Sequence, residues 1–545
     1  MKILLQIFLA LWLASNAFSA TIWCNPANSG TENGLAKESG YNTLWEAMAA
    51  MNSGDTVIIA DGDWRNTAGM YIDGTYSPPD GSVGSYTNIT AENDWSVKIP
   101  YVFTGTGFSY VKFQGIVFDN TYITVVGAGH VVYECDHTKF IRCGFLAVGI
   151  TGNNHTCGFG SSDNTRSLNQ YNLMEECIAW GSGRYVFYSK YGQYNIFRRC
   201  VARHDKHDST DDLQDSGQIA NFRAYACNYH VYQNCISIDT DRTQYYMGTD
   251  QQYDGPLNSE TSGYWVGDQY GATGNIITGS ISIKDMQQSF YMSGQFETDV
   301  NYISNSSAVD LSVAGGATLS GLFVKNGSSF TNVAGANLLG INATISNENG
   351  FLEKNDGYFT VTDSIVSSVA NYGLYGGDIT ATYINYYSIG LGVIGTTWGT
   401  GSFEADPETI GLLYPVRIES GSTLATAGST GGVVGPTILK QIGVSGTLYG
   451  ETGWDAVTES NLWPFPNEAI IKTLMSTTVV GVSGEYGFTT GTSLDGSAQT
   501  LTKYIWEYLG NQIPADIYGL TVSYKRPSLG GKLPSVGGKT PALAH

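Results

Sequence analysis

Residues 194–217 read YNIFRRCVARHDKHDSTDDLQDSG. A short apolar strand around Cys200 gives way to a burst of charge, in a chain where charged residues make up only 14%. The centre of that strand, Arg198-Arg199-Cys200-Val201-Ala202, has relatives along the chain. Phe113-Gln114-Gly115-Ile116-Val117 and Ile141-Arg142-Cys143-Gly144-Phe145 precede it, as does Glu175-Glu176-Cys177-Ile178-Ala179. Gln233-Asn234-Cys235-Ile236-Ser237 follows, and later copies carry Ser in place of Cys, in Thr278-Gly279-Ser280-Ile281-Ser282 and Thr362-Asp363-Ser364-Ile365-Val366. The intervals vary, with a minimum of roughly 22 residues, and repeats of that size mean a stacked architecture. Here the stacked units are strands, interrupted by loops of different length.

Working outward, residues 41–62 read YNTLWEAMAAMNSGDTVIIADG. Thr43 with Glu46 forms a capping box, Leu44, Met48 and Met51 share one helical face, and Gly54 is suited to ending the helix. The strand Thr56–Ala60 follows at once. A short amphipathic helix ahead of many strands covers the open end of a solenoid, which would otherwise expose unpaired backbone and apolar core. The capping helix, the GDTVIIADGDW segment and the recurrent Cys-Ile strand together resemble the pectate-lyase-like superfamily of right-handed parallel β-helix proteins, over roughly residues 40–435. The resemblance implies an all-β, right-handed parallel β-helix (solenoid) with an N-terminal capping helix. It implies no particular activity.

The chain opens MKILLQIFLALWLASNAFSA, with Lys2, an apolar run from Ile3 to Ala14 and small residues after it. That is the pattern of a signal peptide over 1–20, too short to span a bilayer. An exported, soluble protein without a transmembrane segment is expected. Gly is 68 of 545 residues and helix formers are scarce, which fits an all-β chain. The net charge of −21 excludes nucleic acid as a partner and opposes polyanions overall, unless a local basic patch or bound cations intervene.

Eight Cys in an exported chain would ordinarily suggest disulfides. Stacking at strand spacing instead makes Cys143, Cys177, Cys200 and Cys235 an inward ladder of thiols, continued by Ser280 and Ser364. Cys135 and Cys157 are the disulfide candidates, and Cys24 and Cys227 have no evident partner. Near residue 400 the pattern changes. The segment ADPETIGLLYPVRIESGSTLATAGS resembles the closing coil of secreted β-helix proteins. Then NLWPFPNEAIIKTLM and LTKYIWEYLGN read as two short amphipathic helices, the second stopped by Gly510. The expected organisation is a β-helix over 21–435, a small helical module over 436–520 that caps the far end or is appended for self-assembly, and a disordered tail over 521–545.

Aligning coils on the Cys/Ser position yields a map of neighbours. Cys200, Cys235 and Ser280 are separated by the same intervals as Tyr188, Arg223 and Asp268, as Lys190, Tyr225 and Tyr270, and as His204, Asp239 and Lys284. Alternation puts Tyr188 and Lys190 on one outward face. Such a surface suits β-elimination of a uronic-acid polysaccharide, where a base removes the proton α to a carboxylate and a cation stabilises the charge that develops. The candidate bases are Lys190, Arg203, His204 and Tyr188, and Arg223 is suited to pairing the carboxylate. Tyr225, Asp268, Tyr270, Asp239 and Lys284 are the substrate-binding candidates. Asp205, Asp208, Asp211, Asp212 and Asp215 are candidate Ca2+ ligands, since Ca2+ takes several oxygens; the resemblance makes Ca2+ with a basic residue a fitting pair.

Hydrolysis would instead need two carboxylates flanking the glycosidic bond, and Asp239 or Asp241 with Asp268 is the best such pair. His207 and His230 have no second ligand at zinc-like spacing. Tyrosine, at 36 residues, clusters in YYMGTDQQY (245–253) and GYWVGDQY (263–270), loops on which sugar rings would stack. The competing reading of the charge burst is a solvated loop. The sequence therefore points to an exported β-helix protein engaging polysaccharide, a lyase if catalytic. Its alternatives are a non-catalytic surface or matrix protein that binds glycan, and a purely structural solenoid.

Overall fold

The computed structural model describes residues 19–105, 107–122, 129–148, 154–206, 220–238, 262–267, 275–283, 288–291, short segments between 323 and 394, 397–476 and 487–518. Three parallel sheets dominate it. The first has nine strands, from Thr21–Cys24 to Ile276–Thr278. The second has eight, from Gly62–Asp63 to Ile281–Ile283, and the third six, from His130–Tyr133 to Gln288–Tyr291. Within each sheet a strand's neighbours are its equivalents one coil away: Ile196–Arg198 pairs with Leu173–Glu175 before it and Val231–Gln233 after it. Smaller parallel sheets of five, three and two strands repeat the arrangement between Phe323 and Glu404. This is an all-β parallel β-helix.

The recurrent five-residue motif is a corner, where the sequence suggested one continuous strand. Ile196–Arg198 belongs to the first sheet and Val201–Lys206 to the second. Between them Arg199 adopts φ 51°, and Gly115, Arg142, Glu176, Asn234, Gly279 and Asp363 hold the same left-handed conformation before their own Cys, Ser or Ile. One left-handed residue turns the chain from one sheet to the next. It costs a residue with a Cβ roughly 1–2 kcal/mol, and partners compensate: Arg142 donates to Asp94, and Arg199 to Glu176 at 3.2 Å.

Inside, equivalent positions stack. Phe113 lies on Phe140 at 4.7 Å, Phe118 on Phe145 at 5.3 Å, and Phe187, Phe222 and Tyr264 form a column at 5.1 and 4.7 Å. The thiol ladder is present and hydrogen-bonded across coils. Cys177 donates to the Phe140 carbonyl, Cys200 to that of Met174 and Cys235 to that of Phe197, at 3.2–3.3 Å. Ser280 Oγ accepts from the Cys235 amide. All eight Cys are free and buried, so the proposed Cys135–Cys157 disulfide is absent. Cys157 is paired with His130, five residues short of Cys135, so the two thiols stand in different columns. A column of asparagines that the sequence reading missed runs alongside. The Asn172, Asn195 and Asn275 Oδ1 atoms each accept a backbone N–H, of Thr138, Asn172 and His230, at 2.9 Å.

The helix at the N-terminal end spans Leu44–Ala49 and carries the Thr43–Glu46 capping box. It stops before Gly54, because the Asp55 carboxylate accepts from the Asn52 amide at 2.8 Å and closes a turn there. Its buried face joins the core formed with Ile22, Cys24 and Val57. At the other end the chain turns back. The antiparallel pair Lys440–Ile442 and Val457–Asn461, and the helices Glu468–Met475 and Leu501–Trp506, lie along the outside of the first and second sheets. Trp463, Phe465, Leu474 and Trp506 cluster with Trp180, Val201 and Ile236 of the second sheet. Leu448 packs on Leu173, Ile196 and Val231 of the first. Gly510, at φ 79°, ends the helical turn Glu507–Leu509 that continues the second helix, and a short helix Ala515–Tyr518 follows.

Candidate functional site

The charge burst divides. Its arginines serve the returning C-terminal segment. Fully buried Arg198 donates to Gln233 at 2.7 Å, to the Val444 carbonyl at 2.8 Å, to the Trp454 carbonyl at 3.0 Å and to Glu175 at 3.4 Å. Burial pushes its pKa down to about 10, and Glu175 opposes that. Arg199 also pairs with Glu175 and reaches the Ile442 carbonyl at 3.2 Å. Glu175 further accepts from the Gly446 amide at 2.7 Å and from Ser445. Arg203, a sequence candidate for the base, is fully buried in the second sheet and donates to the Met475 carbonyl at 2.7 Å. It does not share the face that carries Tyr188 and Arg223.

That face belongs to the third sheet. Tyr188 pairs with Arg223 and Lys190 with Tyr225, as the alignment expected. The next coil differs: Arg223 pairs with Trp265 and Tyr225 with Gly267, so Asp268 and Tyr270 do not continue these columns. From Tyr225 to Cys235 is ten residues and from Gly267 to Ser280 thirteen. A longer loop after the strand therefore breaks the register carried over from the Cys column. Asp268, Tyr270, Asp239, Lys284, Asp208, Asp211, Asp212 and Asp215 lie outside the described residues, as do the side chains of His204 and Asp205. The register is described as far as Arg203, Ile238 and Ile283, one position short of His204, Asp239 and Lys284.

Around Tyr188 and Arg223 the structure gathers residues the sequence reading did not select. The His155 ring lies 3.8 Å from that of Tyr188 and 4.8 Å from that of Tyr185. Arg223 sits 5.7 Å from the Tyr185 ring centroid and 5.2 Å from that of Tyr225, and Arg184 5.4 Å from Tyr185. These are cation–π distances. Tyr188, His155 and Arg223 are buried, whereas Arg184, Lys190 and Tyr225 are half-buried and form the rim. Burial holds the Tyr188 hydroxyl well above its usual pKa, so it keeps its proton. Burial, then the charges of Arg184, Lys190 and Arg223, hold His155 well below the ordinary histidine range. The cluster is thus three cations, a neutral imidazole and the protonated phenol of Tyr188. It can take a carboxylate and offer hydrogen bonds beside it.

A second aromatic array has a different character. Tyr110, His137, Tyr171, Tyr194 and Tyr229 stack at 4.5–5.1 Å, one per coil. Their ring faces are spent on each other, which leaves few for sugar. Among the described residues no group of three or more His, Cys, Asp or Glu is placed to hold a metal ion. None of their helices is long and apolar enough to cross a membrane.

Comparison with known proteins finds solved structures of similar shape. A pectate lyase, Pel9A, aligns with a TM-score of 0.41 at 14% identity, over 77% of this chain and 97% of its own. A rhamnogalacturonan lyase aligns with a TM-score of 0.29 at 11% identity, over 74% and 94%. The Agl-KA catalytic domain gives 0.25 and 10%, over 71% and 68%. No family model matches the sequence. No curated protein matches it either. The parallel β-helix itself rests on the strand ladders described above.

The sequence held one signal that would have located His155. Cys157 and Phe187 are both apolar residues of third-sheet strands and pair directly, which places His155 beside Tyr185. The clustering of Arg184 with them depended on the corner before that strand, for which no local pattern exists.

Proposed function

We propose that this protein acts on an extracellular anionic polysaccharide, as a lyase that cleaves uronic-acid polymers by β-elimination. One observation carries the reading: a chain of net charge −21 collects Arg184, Lys190 and Arg223 on a single sheet face among tyrosines. A local basic patch is what an acidic protein needs to hold a polyanion. In the reaction Lys190, once its ammonium proton has been released to solvent, takes the proton α to the carboxylate, and the carbon–oxygen bond to the leaving sugar breaks as the double bond forms. Arg223 and Arg184 neutralise the carboxylate, on which negative charge grows. Tyr188, which keeps its proton, protonates the departing oxygen. Tyr225 supports the sugar at the rim, and Asp239, Lys284 and His204 are proposed as further substrate contacts. Asp205, Asp208, Asp211, Asp212 and Asp215 are the proposed Ca2+ ligands, and a bound Ca2+ would screen neighbouring carboxylates of the polymer.

Incubation with polygalacturonate, alginate and hyaluronan, with Ca2+ or with a chelator, should yield the absorbance of an unsaturated sugar from at least one polymer. Lys190→Ala should cut that rate by about 10²–10⁴. Binding without any unsaturated product would establish the non-catalytic glycan-binding alternative. Neither binding nor product from the panel would sink the reading.

A further inference from the structure

The third-sheet face holds a group that the elimination scheme leaves unused. His155 is only 8% exposed, and its Nδ1 atom is buried with no hydrogen-bond partner among the described residues. An orphaned polar atom at such a site is destabilising, and a ligand contact would relieve it. Its ring is wedged against Tyr185 and Tyr188. Among the described residues the charges acting on it are Arg184 and Lys190, at either end of the neighbouring strand, and Arg223 on the strand beyond. All three are positive. A neutral imidazole facing three cations is poised for one event: when a bound anion offsets their field, the reason for staying neutral weakens.

Building on the reading that this face binds uronate, we propose that His155 takes up a proton when a carboxylate-bearing sugar binds, so that the site captures an anion and a proton together. The proton comes from solvent and adds to the ring nitrogen that carries the lone pair, and no covalent bond of the sugar changes. The charged ring then presents two N–H donors to the ligand. Linkage is reciprocal: if the anion raises proton affinity, added protons raise anion affinity by the same factor. Binding should therefore strengthen as pH falls, over the interval between the free and the liganded His155 values. A neutral oligosaccharide, which offsets no charge, should show none of this.

The test is NMR titration of the histidine Cε1–H signals in the full chain, with His155 identified among the seven histidines by its loss in His155→Gln. The probes are trigalacturonate, sulfate and neutral cellotriose. Trigalacturonate should raise the His155 pKa by about one unit or more, and cellotriose should leave it in place. Calorimetry of trigalacturonate in buffers of different ionisation enthalpy should count proton uptake by the wild type and none by His155→Gln. Lys190→Gln should raise the value without any ligand, because one of the cations that oppose protonation is gone. If sulfate moves His155 while trigalacturonate fails to bind, the uronate reading falls and the proton-coupled anion site stands. If trigalacturonate binds and His155 neither shifts nor takes up a proton, the proposal is overturned and the uronate reading survives.

Discussion

Arg199 holds a left-handed backbone at φ 51° and spends its guanidinium on Glu175, Glu176 and the Ile442 carbonyl. Its neighbours Arg198 and Arg203 are equally committed, to carbonyls of a segment about 250 residues downstream. Breaking a buried pair strands the other charge, so Glu175→Gln should lower unfolding stability by about 3–5 kcal/mol, measured by denaturant titration. Position 203 and position 190 separate structure from chemistry. Arg203→Met should lower the melting temperature while kcat per folded molecule stays within about twofold, because the side chain contacts Met475. Lys190→Ala should do the reverse. An arginine in a hydrophilic run reads the same in sequence whether it faces substrate or a distant carbonyl, and only the fold tells them apart.

At the scale of the element, the corner is the unit that repeats, and its Cys column shows what the repeat demands. Each thiol is small enough for the inner turn and donates to a carbonyl one coil back. Cys200→Ser should therefore cost about 1 kcal/mol or less, since the hydroxyl inherits the Met174 acceptor. Cys200→Leu overfills the turn and should cost about 1–3 kcal/mol. Burial holds the thiols of Cys177, Cys200 and Cys235 well above their usual pKa, and that of Cys135 up to about 12. A thiol reagent should accordingly find none of the eight in the native protein and all eight after denaturation. The ladder was legible because Cys or Ser recurs at the same place in the motif, before Ile or Val in all but the Cys143 copy. The asparagine column was not, since its members lie at the start of strands where many polar residues would serve.

For the whole molecule, the C-terminal segment packs laterally along two of the three sheets. Deleting residues 436–545 exposes Trp180, Val201 and Ile236 and removes the carbonyls that Arg198 and Arg203 bond. The truncated chain should lose stability and bind a hydrophobic dye, where an appended assembly module would leave folding intact. Acid should act globally too. Burial lowers His130 to about 4 and His230 to about 3. Above pH 6.5 both are neutral in either state and stability is full. As pH falls from 6.5 toward 4 the unfolded chain binds protons that the folded one refuses. On the order of 3–5 kcal/mol per histidine should then be lost by about pH 3. His130→Phe should flatten that decline in a series of denaturation curves.

By itself the sequence determined the stacked architecture and the inward thiol column, because both follow from local patterns that recur coil after coil. It also paired Tyr188 with Arg223 and Lys190 with Tyr225, since the loops between those strands and the next corner have equal length. Only the tertiary structure decided that the register slips at Trp265, that Arg198, Arg199 and Arg203 brace the C-terminal segment, and that His155 stands among three cations. Those outcomes depend on loop lengths and on contacts between distant parts of the chain, and neither leaves a periodic trace in the residues that take part.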